Sequence, residues 1–169
     1  MPLIPDAAVI EERLAAFPLT TYQVGENVFV AGSKTDRLMF LRNGAVAVLK
    51  EGIEIAKVTE PGAVFGELSA LLDQPHTADV RALEPSQFHV ANADALLAQD
   101  PIALLYVAAI LARRLDGANL ALIELKSQLH AGQPGSVVGK TIDKMEGLLG
   151  ARYAHGLTGN MWGPPTPTR

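Results

Sequence analysis

A chain of 169 residues with 49% apolar and 19% charged content is long enough for one well-filled core and a small appendage. It contains no cysteine, which excludes a disulfide framework or a thiolate metal site and fits a reducing compartment, so a cytoplasmic location is expected. A net charge of −4 provides no electrostatic footprint for nucleic acid, and with no basic-then-apolar start and no apolar stretch of spanning length, neither secretion nor membrane insertion is expected.

Residues 7–17 carry Ala8, Ile10, Leu14 and Ala15 at helical spacing behind Asp6, a candidate N-cap, and Pro18 ends this amphipathic helix. The period then changes to alternation over residues 20–24, and Gly25-Glu26 turns the chain into a second strand, residues 27–30, closed by Gly32. Residues 37–42 and 45–50 flank Asn43-Gly44, two residues tolerant of positive φ, and this pattern predicts a β-hairpin. Further turns at Glu51-Gly52 and Pro61-Gly62 bound a strand at 53–58, and residues 78–82 and 87–91 read as strands separated by Glu84-Pro85. Short strands recurring roughly every eight to twelve residues imply a sandwich, jelly roll or barrel.

Asn92 is placed to cap a short helix over residues 93–98, and Asp100-Pro101 is a strong start for a long one. In that helix Leu104, Ala108, Leu111, Leu115, Ala118, Leu122, Leu125 and Leu129 alternate at steps of four and three, an a/d seam of about 26 residues without a polar member. Such a seam predicts a homodimer, through Leu104, Leu111, Leu115, Leu122, Leu125 and Leu129. Arg113-Arg114 reads as a solvated or salt-bridging pair, with Arg114 reaching Glu67 as the lesser alternative, and Gly117 costs helix stability of about 1 kcal/mol relative to Ala. Gly132 and Pro134-Gly135 mark a linker, residues 137–149 a possible short helix, and the proline-rich end a poorly ordered tail.

Phe65-Gly66-Glu67-Leu68, then Pro75, small residues and Val80, resembles the phosphate-binding cassette of the cyclic-nucleotide-binding domain family, at that family's spacing. The family's glycine pattern is met by Gly25, Gly32, Gly44, Gly62 and Gly66, and Ala112-Arg113-Arg114-Leu115 looks like the dimerisation helix of the bacterial catabolite activator group. The resemblance covers roughly residues 20–129. It implies a mainly β fold with flanking helices: an eight-stranded β-roll (a double-stranded β-helix jelly roll) and a long C-terminal dimerisation helix. The expected organisation is an N-terminal helix over 1–19, the roll over 20–99, the dimerisation helix over 100–130, and a linker, short helix and flexible tail over 131–169.

The resemblance assigns ligand contacts to Phe65, Gly66, Glu67, Leu68, His76, Thr77, Ala78 and Asn119, with Glu67 suited to a ribose 2′-hydroxyl. Where the family places the arginine that grips the cyclic phosphate, this chain has His76, and an imidazole cannot form the guanidinium's charged fork. That loss is worth roughly ten- to a hundredfold in affinity. Asp79 adds negative charge that would oppose a phosphate unless it holds His76 protonated. Farther on, where the catabolite activator group sets two hydroxyl residues against the base, this chain has Ala118-Asn119, of which only Asn119 can hydrogen-bond a purine edge.

No catalytic or metal-binding residue is expected, because His76, His89, His130 and His155 lack paired spacing and a neighbouring acidic ligand set. Residues 131–169 are too few for three helices of about ten residues, their turns and a wing, so sequence-specific DNA binding is not expected either. The expectation is a stand-alone, non-enzymatic sensor or regulatory module. Cyclic AMP or cyclic GMP would be its ligand, no cofactor is needed, and an unknown protein partner carries the output. The alternative is a dimeric scaffold that has lost nucleotide binding.

Overall fold

The computed structural model describes Pro5 and residues 7–130. The expected Asp6 cap, the 131–169 linker, its short helix and its tail lie outside the described residues. Two compact units divide the chain at Arg114, and each is taken by itself.

The first unit begins with α1 (Ala7–Ala15) and continues with β1 (Leu19–Tyr22), β2 (Asn27–Phe29), β3 (Arg37–Asn43), β4 (Val46–Lys50), β5 (Ile53–Val58) and β6 (Val64–Phe65). The short helix α2 (Glu67–Leu72) interrupts the strands before β7 (Asp79–Ala82) and β8 (Ser86–Asn92), and α3 (Ala93–Gln99) leads to α4 (Pro101–His130). The eight strands form two antiparallel four-stranded sheets, ordered β1-β8-β3-β6 and β2-β7-β4-β5, which is the expected β-roll.

The strand β3 explains how the layers meet. Its apolar run Leu38, Met39, Phe40 and Leu41 is buried on both faces, as an uninterrupted apolar strand should be. Leu38 and Phe40 join Ile10, Leu14, Leu96 and Val107 in a core between the first sheet and the helices. Met39 and Leu41 point the other way, joining Phe29, Val46, Phe65, Val80 and Phe88 between the sheets.

The hairpin expected at Asn43-Gly44 does not form. Strand β3 pairs with β6 and β8, whereas β4 pairs with β5 and β7, so the turn carries the chain from one sheet to the other. Asn43 remains in its strand, paired with Gln87, and only Gly44 takes positive φ, at 104°. The backbone pair that a two-residue hairpin needs occurs one turn later, at Glu51 (φ 53°) and Gly52 (φ 78°), between β4 and β5. Pro61-Gly62 is a tight turn closed by Ala63 N–H donating to Glu60 O at 3.1 Å.

Both helix starts are capped as expected. Asn92 Oδ1 accepts from Ala95 N at 2.9 Å, and Asp100 Oδ1 accepts from Ile102 N at 3.0 Å and Ala103 N at 3.1 Å. Asp100 also pairs with Arg13 of α1. Within the first unit α4 buries Ala103 and Val107; of the a/d seam there, Leu104 and Ala108 are exposed, while Leu111 is half-buried and packs against the same core. The described part of the second unit is the remainder of α4, where Leu115 and Leu125 are also exposed. Among the described residues no single helix is long and apolar enough to cross a membrane.

Candidate functional site

The chain turns sharply between β6 and α2 because Gly66 adopts φ 91°, with the Arg37 carbonyl and the Phe29 ring so close that a Cβ there would meet them at 2.5 and 3.0 Å. This turn sends Glu67 inward at the start of α2, where it is 3% exposed. Asp73 in the left-handed region ends the helix, and the Ser69 hydroxyl donates to Gln74 O at 2.5 Å, bringing the chain back toward His76.

Beside this loop lies a cavity of about 540 Å³. Seven of the eight expected contact residues line it: Phe65, Gly66, Glu67, Leu68, His76, Thr77 and Ala78. Phe29, Val48, Ile55, Ala56, Val58 and Val80 supply apolar walls, while Lys50 and Arg114 add cations that were not among the expected contacts. The eighth, Asn119, belongs to the second unit, where it is exposed on α4.

The charges in the cavity differ from the expected arrangement. The guanidinium of Arg114 pairs with Glu67 through Nη1, donates from Nη2 to Val64 O at 2.6 Å, and sits 6.0 Å from the Phe65 ring centre. Burial pushes the Glu67 carboxyl above its ordinary range, and the Arg114 charge pulls in the opposite direction. The adjacent arginines, both exposed, therefore part company: Arg114 pairs with Glu67, while Arg113 lines a different cavity beside Gly62 and Tyr106. Helical geometry is the signal that separates them, since neighbouring residues on a helix face different directions.

His76 is 7% exposed and its ring lies 4.2 Å from the Phe29 ring. A hydrogen bond joins Nε2 to Thr35 Oγ1 at 3.0 Å, and burial lowers the imidazole pKa, favouring the neutral ring. Asp79 does not hold it protonated. Strand alternation turns Ala78 and Val80 toward the cavity and Asp79 away from it, and Asp79 Oδ1 accepts instead from Ala31 N at 2.7 Å. The expected opposition between Asp79 and a phosphate is corrected by that orientation. Among the described residues no group of three or more His, Cys, Asp or Glu is placed to hold a metal.

Two antiparallel sheets with a glycine-started helix set into the roll define a class of domain. Residues 19–99, just under half of the chain, match the family model for the cyclic nucleotide-binding domain. The catabolite activator protein of Thermus thermophilus has the same fold, with a TM-score of 0.59 over 94% of this chain and 88% of that one, at 22% identity. A structure described as cAMP-bound PfPKA-R is 25% identical, with a TM-score of 0.52 over 65% of this chain and 37% of that one. A stretch of 74 residues, 43% of this chain, is 46% identical to part of Glutaminase 1 from Bradyrhizobium diazoefficiens. The match spans 12% of that curated relative.

Proposed function

We propose that the roll is a regulatory module that binds a cyclic nucleotide in the cavity against α2 and passes the event to protein partners. The observation that carries this reading is the convergence of the cassette residues Gly66, Glu67 and Thr77 on one cavity of about 540 Å³, a size suited to a small ligand. Apolar walls from Val48, Ile55 and Val58 suit a base. A carboxylate has about four acceptor sites, so Glu67 retains capacity for a ribose hydroxyl while paired with Arg114. Thr77, exposed at the mouth, offers a hydroxyl to a phosphate oxygen.

Cyclic AMP is the first ligand to try, because the PfPKA-R structure described as cAMP-bound lies at 25% identity. The partial match within a much longer glutaminase supports a portable module whose output resides in other sequence. We assign self-association to the exposed a/d face of α4.

A second reading, a scaffold without nucleotide, is favoured by one observation: His76 is packed against Phe29 and bonded to Thr35 where a cation would be needed. Calorimetric titration of the full chain with cyclic AMP and cyclic GMP separates the two. Saturable heat is expected with at least one nucleotide, and Glu67→Ala should weaken it about tenfold or more through the lost charged hydrogen bond. A folded protein that gives no heat with either nucleotide is the scaffold.

A further inference from the structure

We propose that Lys50, on the strand beside the cassette, is the cation that meets the ligand's phosphate in place of His76; the inference rests on the nucleotide reading of this cavity. Strand register leads to it. Strands β4 and β7 pair Val46 with Ala82, Val48 with Val80 and Leu49 with Asp79. One further step of that register sets Lys50 opposite Ala78, next to Thr77, and all three residues line the same cavity.

The pleat agrees with the register. Val46, Val48 and Lys50 alternate onto one face of β4, and Val46 is fully buried between the sheets, so that face is the inner one. The irregularity between β4 and β5 leaves this alternation intact. Val48 pairs with Ala56 and Leu49 with Glu54, so the extra residue is Ile55 on β5, and both Ile55 and Ala56 line the cavity as a bulge allows.

The other basic side chains at the cavity are already engaged. Arg114 is held by Glu67 and the Val64 carbonyl, and His76 by Thr35 and the Phe29 ring. Among the described residues the Lys50 side chain has no hydrogen-bond or ion-pair partner, and the residue is exposed. An exposed ammonium on a flexible stem stays hydrated when no ligand is present and can swing onto an anion as a point charge. The resulting contact differs from a guanidinium fork: it depends on charge and tolerates changes in geometry.

The test is calorimetric titration of the full chain and its Lys50→Gln and Lys50→Arg variants with cyclic AMP, cyclic GMP and adenosine, which lacks the phosphate. Because Lys50 is exposed, both variants should melt at the wild-type temperature. Lys50→Gln is expected to weaken cyclic nucleotide binding about tenfold or more while leaving adenosine within about threefold, and Lys50→Arg to retain most of the affinity. Unchanged cyclic nucleotide affinity in Lys50→Gln overturns the role of Lys50 and leaves the nucleotide reading standing. Equal weakening of adenosine also overturns it, assigning Lys50 to pocket shape. Absence of cyclic nucleotide binding in the wild type overturns the inference and the nucleotide reading together.

Discussion

His76 is held from several sides: by Thr35 through Nε2, by the Phe29 ring, and by its own backbone, whose N–H donates to Ser33 O and whose carbonyl accepts from Gly32 N, both at 2.8 Å. These contacts make it a fastening between the β2–β3 connection and the end of the cassette. Its lowered pKa has a consequence for stability. The folded state favours the neutral ring, so the contribution is fully present above the unfolded pKa of about 6.5 and is lost as pH falls through the depressed folded value. Glu67, whose pKa is raised, acts in the opposite sense: its contribution is present below its ordinary range and lost as pH rises. Thermal melting of the wild type beside His76→Gln isolates the histidine. The wild type should lose more stability between pH 7.5 and 5 than the variant, and parallel curves would refute burial of a neutral imidazole.

At the scale of elements, the passage between sheets depends on Gly44. It has φ 104°, and a Cβ there would lie 2.6 Å from Ser86 Cα, a backbone atom that cannot move without disturbing β8. Ser86 is itself fully buried, with its hydroxyl donating to Glu84 O at 2.8 Å. Left-handed strain alone costs about 1–3 kcal/mol for a residue with a side chain, and overpacking adds a similar amount. Gly44→Ala should therefore lower unfolding stability in urea by about 2 kcal/mol or more. Gly52→Ala, at a turn with positive φ but open space around it, should cost less. Equal losses at the two positions would show that the close approach to Ser86 is immaterial.

For the whole molecule, α4 buries Ala103 and Val107 in the core and packs the seam's Leu111 against them, and Leu104 and Ala108 are left exposed. In the second unit Leu115 and Leu125 are 38% and 42% exposed. Burying Leu104, Leu115, Leu122 and Leu125 between two chains, at roughly 1.5–3 kcal/mol for each fully exposed leucine, would supply gross driving force for association against its entropic cost. Sedimentation equilibrium is expected to give a dimer at micromolar concentration, shifted to monomer by Leu115→Glu with Leu125→Glu. A wild-type monomer across that range would remove the seam from the interface.

Much of this molecule is local chemistry and legible without a structure. The Asn92 and Asp100 caps, the Pro61-Gly62 turn, the Gly66-Glu67 entry to α2 and the spacing of the strands all depend on residues within a few positions of one another. Seven expected contact residues share one cavity because they are nearly contiguous in the chain. What needed the tertiary structure is what strand pairing decides. Asn43-Gly44 has hairpin chemistry, yet β3 and β4 find lower-energy partners in different sheets, since each strand's apolar face is buried by residues far away in sequence. The same long-range pairing turns Asp79 out and sets Lys50 across from Ala78, while the contact of Arg114 on α4 with Glu67 is the lesser of two readings of the sequence. The resemblance carried by residues 65–80 and the glycine spacing implied a β-roll with a cassette; only the register between β4 and β7, which long-range strand pairing sets, placed Lys50 at the cavity across from Ala78.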